Sequence, residues 1–573
     1  MQALPVAFGS LVALWLGYRF YSRYLSERLF QLSDTEDVPS QQLSDGVDYV
    51  PTKRSTLWGH HFSSIAGAAP ILGPAIAIVW GWAPALLWIV LGVIFMGAAH
   101  DFGALVLSMR HEGKSVGRLA EVYISPRSRT LFLIIIFFLI WMVGAVFAFA
   151  IASLFVKFPA SILPVNLEIA VAIGLGYFTF KKGGHLMLPS VIILIGLYLV
   201  IFGTATGQLP SPAEDSLFLD LDFWLIGLMI YAFVASSLPV WLLLQPRDLI
   251  NSHQLIVGLI AMYLGFAIAS PTFQAPAVGP LEQLPSVIPL LFVTIACGAI
   301  SGFHGLVSSG TTSKQLCRAT DARPIGYGAM LCEASLAILA TMAVAAGHWV
   351  GAEHSHAFDF VMEKTQDGSS LPTVPVALGA FINGAAGFLG SLGLPQTVGV
   401  TMVAVLVISF AATSLDTALR IQRLVLSEIG DIYRIDALKN RWVGGALATL
   451  SVLVLIYVDK AHGAKSLWPV FGATNQVLAA FTLLICALYL RKRGVNSRLY
   501  AVPAVFIMTL TISAMVFQIT RDLAAGHYLV GLVGLAIAVV TLWIALEAAL
   551  AWRRRPESNH ASESLPNENS HHV

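Results

Sequence analysis

One stretch, Thr56–Gly81 (TLWGHHFSSIAGAAPILGPAIAIVWG), limits the possible folds more than any other. It exceeds the roughly 20 residues that a helix needs to cross a bilayer, yet its centre, Ala66–Pro74 (AGAAPILGP), is made of helix breakers. Pro74 has no N–H to donate to the Pro70 carbonyl, and Gly67 and Gly73 make unwinding cheap. Lipid cannot hydrogen-bond the backbone groups freed in this way, so such a break must be buried in protein or line a wet cavity. Interrupted spans form substrate and ion sites in secondary transporters. A kinked structural helix is the competing interpretation, since glycine and proline are common in membrane helices.

The remaining sequence shares the same solvent. Charged residues make up 11% of the chain and hydrophobic ones 57%, with a mean hydropathy of +0.77; a soluble domain carries about 25% charged residues. Apolar spans are expected at about 4–21, 57–80, 82–108, 130–156, 165–180, 186–206, 221–245, 252–270, 287–312, 326–350, 397–419, 441–458, 467–489, 499–519 and 528–552, fifteen in all. The glycine-rich segment 373–394 is expected to be re-entrant or interfacial. Leu4–Tyr18 has no basic segment before it and runs into YRFYSR, so it reads as a retained first helix and not a signal peptide. With the N-terminus outside, only Lys157, Lys364, Lys460, Lys465 and Arg521 of the 33 Lys and Arg fall on the outer side. That is the asymmetry of the positive-inside rule. It predicts a multi-pass protein of the bacterial inner membrane with a cytoplasmic C-terminus. The tail 553–573 is polar and expected to be disordered.

A second interruption, Val234–Trp241 (VASSLPVW), lies in the span 221–245. Two interrupted spans, five helices apart and oppositely directed, are the mark of an inverted repeat with its site at the midplane. The expected organisation is a first helix and loop (1–56), a first repeat (57–206), a second repeat (207–419), four peripheral helices (420–552) and the tail. Substrate is expected at Gly67, Ala68, Ala69, Ser236 and Ser237, with Trp141 from the span 130–156. Half-helix N-termini there would favour a carboxylate. In the span 287–312, Ser308 and Ser309 follow Gly305 by three and four residues, so one face offers a carbonyl and two hydroxyls. Hard cations prefer such oxygens, although hydroxyls also serve as packing glue between membrane helices.

Longer motifs then resemble the carbon starvation protein A (CstA) family. They are GHHF from Gly59, Ile65–Gly67, Gly73-Pro74, HDFG from His100, LQPRD from Leu244 and Ile295–Lys314 (IACGAISGFHGLVSSGTTSK). Asp321–Gly328 (DARPIGYG), Ser414–Arg420 (SLDTALR) and Trp468–Gln476 (WPVFGATNQ) complete the set, which spans 58 to 481. The resemblance implies an all-α, LeuT-type five-plus-five core of the amino acid–polyamine–organocation superfamily. It also implies uptake of peptides, or in some members pyruvate, during nutrient limitation. A longer C-terminal part is expected in many members, so a regulatory function placed there is not expected of this chain. The LeuT plan implies a sodium site between Ala66–Ala69 and the helix of Gly305, Ser308 and Ser309.

Ionisable residues in spans are costly and so informative. His100, Asp101 and His304 are candidates for a coupling proton, against sodium at the site above. Asp416 could also titrate, but Arg420 at i+4 suggests a structural pair; Asp101 could pair with Arg110. His60 and His61 are adjacent and diverge on a helix, a poor ligand set. No metal, cofactor or nucleic-acid partner is expected: the net charge is +1, the four cysteines show no CxxC spacing, and HEGKS at His111 lacks a second histidine. No GxSxG or P-loop is present. The alternatives to a carrier are a channel, which calls for continuous pore-lining helices, and an intramembrane metal enzyme.

Overall fold

Proline and glycine set where the helices stop. The computed structural model describes residues 1–46, 48–182, 187–213, 215–239, 241–279, 287–349, 355–365, 371–459 and 467–554. Among these there is no β-strand, only isolated bridges such as Thr52–Leu316. Ser125 caps the helix Pro126–Lys157 by accepting from the Ser128 amide, with proline in the first turn, and Asp220 caps Leu221–Ser237 at 2.7 Å from the Phe223 amide. Among the described residues twelve helices are long and apolar enough to cross a membrane, thirteen with one bent pair. The expected spans 221–245 and 287–312 are not among them. The first is a shorter helix, Leu221–Ser237, and the second is in pieces. The segment expected to be re-entrant is a buried helix, Val374–Gly390, packed against Leu244–Ala269, Ala319–Ala346 and Gln396–Tyr433. The tail from 555 onward lies outside the described residues.

The predicted break is present. Arg54–Ile65 and Ala69–Trp80 meet at 43° across Ala66–Ala68, and Pro70 opens the second piece. The helix that answers it is not the one expected. Leu221–Ser237 simply ends before Pro239, and Leu244–Ala269 begins a new helix. The second broken span is Val287–Thr294, Ala296–Ala299 and Gly302–Gly310, with Ile300 and Ser301 extended between the last two. Asn475 Oδ1 accepts the Phe303 amide at 2.9 Å, replacing the partner that the break removes. The two broken spans run antiparallel and touch backbone to backbone. A Cβ on Gly73 would sit 2.6 Å from the Thr294 carbonyl, so glycine is required there. At one end Gly279 N–H meets the Trp80 carbonyl; at the other His61 meets Thr312.

The packing around this pair is paired as well. Arg54–Ile65 lies on Leu244–Ala269 and Gly302–Gly310 on Leu467–Lys492; Pro126–Lys157 lies along Gln396–Tyr433 and Leu221–Ser237 against Arg441–Asp459. The loop 30–54 crosses the basic end of the bundle. It is held by Glu36 on Arg110 (2.7 Å), Tyr49 on the Glu112 carbonyl (2.9 Å) and Ser40 on the Leu316 carbonyl.

Candidate functional site

Two clusters of ionisable side chains are buried in the bundle. The first begins with HDFG on the helix Ala98–Met109. His100 Nδ1 lies 2.7 Å from Asp101 Oδ1, and the other oxygen of Asp101 lies 3.0 Å from His304 Nδ1 on Gly302–Gly310. His304 Nε2 is 3.3 Å from Glu333 Oε2 on Ala319–Ala346. All four side chains are buried. The series therefore links three helices, including the second broken span, through groups that can gain or lose a proton. The expected proton-handling residues His100, Asp101 and His304 are brought together, and Glu333 joins them.

The second cluster is centred on Arg247, fully buried in the first turn of Leu244–Ala269. Its Nη1 donates to Asp416 Oδ2 at 2.5 Å and to Tyr231 Oη at 2.6 Å. Tyr231 Oη in turn donates to Asp416 at 2.6 Å. Glu168 lies 3.7 Å from Arg247 Nε and accepts from Ser409 Oγ at 2.7 Å. The cluster thus sets two carboxylates against one guanidinium. Asp416 pairs here and not with Arg420, and Arg110 pairs with Glu36 and not with Asp101. Glu168 is not among the residues singled out from the sequence, although it is an acid inside an apolar span. Arg247 is named there only within LQPRD, because a span ending at 245 leaves it in a short loop beside Asp248.

The helix Arg54–Ile65 stands between the clusters. His60 Nδ1 is 2.7 Å from Asp248, the neighbour of Arg247, while His61 Nδ1 is 2.8 Å from Thr312 at the end of the second broken span. At the break above it, a Cβ on Gly67 would overlap Ser414 Oγ on Gln396–Tyr433, two residues before Asp416. Ala66, Ala68 and Ala69 are buried in this break.

Other expected site residues are elsewhere. A Cβ on Gly305 would face His100 at 3.0 Å, and Ser309 Oγ accepts from the Val116 amide at 3.2 Å while donating to the Gly305 carbonyl. Both are thus turned to Ala98–Met109 and the following loop, and the residue that meets the break is Ser414. Ser308 is buried with its hydroxyl unpartnered. Ser236 and Ser237 bond back to the Phe233 carbonyl, and Ser237 abuts Gly445 of Arg441–Asp459. Trp141 donates to the Ser451 carbonyl of that same helix at 2.6 Å. Ser237 and Trp141 thus pack against Arg441–Asp459, while the groups that a Cβ on Gly67 would meet are Ser414 and Phe147.

Comparison with known proteins adds the following. The family described as carbon starvation protein CstA matches residues 2–514. The pyruvate/proton symporter BtsT of Escherichia coli (strain K12) is 32% identical over 90% of this chain and 81% of its own. The peptide transporter CstA of Bacillus subtilis (strain 168) is 31% identical over 92% of this chain and 91% of its own. Among solved structures, MhsT in complex with L-phenylalanine aligns with 87% of this chain and 99% of that one, at 13% identity and a TM-score of 0.44.

Proposed function

The chain belongs to the carbon starvation protein CstA family, and on that premise we propose that this bacterial membrane transporter is a proton-coupled symporter for a small carboxylate-bearing solute. Short peptides and pyruvate are the two solutes named for its relatives. The observation that carries the proposal is the buried series His100–Asp101–His304–Glu333. A proton added there changes the charge against which the second broken span is held, and a charge buried without a partner is costly. Proton occupancy and the position of that span are therefore linked. The orientation is N-terminus outside: a cysteine at Ser216 should label from outside and one at Ser427 from inside.

Proteoliposomes test the function. An inwardly directed proton gradient should drive uptake of pyruvate or dialanine, and a protonophore should abolish it. Asp101→Asn and His304→Gln should lose the response to the gradient while keeping solute exchange. Accelerated counterflow separates a carrier from a channel. A sodium-coupled reading is favoured by one observation, the buried and unpartnered Ser414 hydroxyl against the break at Gly67. Uptake that follows sodium and ignores the pH gradient would select it and remove the proton reading.

A further inference from the structure

A cavity of about 620 Å³ reaches the Arg247 cluster from the end of the bundle opposite the basic loops. Its walls are the far end of Pro126–Lys157, around Phe155, the first turns of Ile162–Lys182, Pro210 to Pro212 with Phe218, and the helix Leu221–Ser237. Its inner limit includes Tyr231 and Ala412. Ala412 is one turn before Asp416, and the Tyr231 hydroxyl already holds both Asp416 and Arg247. The volume is in the range of small-ligand sites, which are mainly apolar with a few placed polar groups.

We propose that this cavity receives the transported solute and that Arg247, uncovered by movement of the Tyr231 side chain, takes its carboxylate. The inference rests on the transporter reading above. A guanidinium stays charged at any working pH and presents a planar fork that matches a carboxylate. Buried, it must always have an anionic partner. Every element around it supplies one of its neighbours: Asp416 and Ser409 from Gln396–Tyr433, Glu168 from Ile162–Lys182, and Tyr231 from Leu221–Ser237. On its own helix Asp248 is engaged by His60. A solute carboxylate would be the third anion against one cation, and like charges repel strongly away from water. Glu168 or Asp416 must then take a proton as the solute binds. Carboxylate and proton arrive together, and the cluster's net charge is unchanged. The apolar walls take the remainder of the solute, which suits a short oxo acid better than a dipeptide, whose free amino group is charged.

Gly227 supplies the test. It lines the cavity, and nothing lies within 4 Å of where its Cβ would be. Gly227→Phe therefore puts a ring into the cavity without moving backbone. Gly196→Phe is the matched control, equally open but on an exposed face of another helix. Binding of pyruvate and of dialanine to the purified full-length protein is read by calorimetry, and uptake in proteoliposomes. Gly227→Phe should raise the half-saturating solute concentration about tenfold or more, and Gly196→Phe should not change it. Tyr231→Phe removes the hydroxyl that covers Arg247 and donates to Asp416, and it should reduce the protons taken up per solute bound, a quantity that a packing defect leaves alone. Pyruvamide and dialanine amide should fail to compete. Wild-type affinity in Gly227→Phe, equal competition by the amides, or no binding of either carboxylate to the wild type would overturn the inference. Binding with all these properties but no uptake under any gradient would uphold the site and remove the transport reading instead.

Discussion

The two buried clusters hold similar groups and differ in one respect. Around Arg247 the positive charge is permanent, whereas between His100 and Glu333 it exists only when a histidine is protonated. A permanent buried cation needs an anion at every stage of a transport cycle, so its cluster can exchange partners but cannot be left without one. The histidine series can be filled and emptied. Equal burial thus gives one cluster suited to taking a proton only together with an anion and another suited to taking a proton by itself. The helix Arg54–Ile65 lies next to both: His60 meets Asp248, beside Arg247, and His61 meets Thr312, just past the helix that carries His304.

The strongest way to break this contrast is Arg247→Met. It leaves Asp416 and Glu168 buried against no cation and should cost about 3–5 kcal/mol, read as thermal unfolding of the purified protein. Adding Asp416→Leu should return much of that stability without restoring uptake. A single variant as stable as the wild type would mean that the cluster is not held by charge.

Next comes the hinge between the clusters. Gly67→Ala drives a methyl group into Ser414 Oγ and should destabilise by about 1–3 kcal/mol and stop uptake. Ser414→Ala in the same chain removes the clashing oxygen and should recover both in part. If Gly67→Ala transports normally, the break is not the moving element.

Glu333→Gln keeps the volume of its side chain and removes the acid at the end of the histidine series. Stability should change by about 1 kcal/mol, while accumulation ceases to follow the pH gradient. An unchanged pH response would move proton coupling away from this cluster and leave it to the carboxylates around Arg247. The smallest effect is expected from Trp141→Phe with Ser237→Ala. Each loses one hydrogen bond to backbone, about 1 kcal/mol or less, and the half-saturating solute concentration should stay where it is. A severalfold rise would bring these residues back into the binding site.

Much of the membrane architecture is legible along the chain because lipid imposes a local requirement. Each span must be apolar over bilayer length and satisfy its own backbone, which hydropathy records residue by residue. The break at Ala66–Ala68 is legible for the same reason, since Gly67 and Pro70 act on their own helix, although Pro74 and Gly73, also read as breakers, are accommodated inside Ala69–Ala77. The His100–Asp101–His304 series was within reach as well, because an ionisable residue in an apolar span calls for a partner. Which partner it finds is not a local property. Asp416 has Arg420 one turn away in sequence and yet pairs with Arg247, because Leu244–Ala269 brings a guanidinium to it from a different helix. From the sequence Ser236-Ser237-Leu-Pro239 reads as an interruption, whereas Ile300-Ser301-Gly302 has no proline and passes for part of a continuous span. The second faces the first broken span because Gly73 allows contact with Thr294 and because Asn475, far along the sequence, accepts the freed amide of Phe303. Lipid and backbone chemistry are short-ranged and were settled by the sequence itself. The pairing of broken spans and of buried charges depends on which helices become neighbours, and only the tertiary structure decided that.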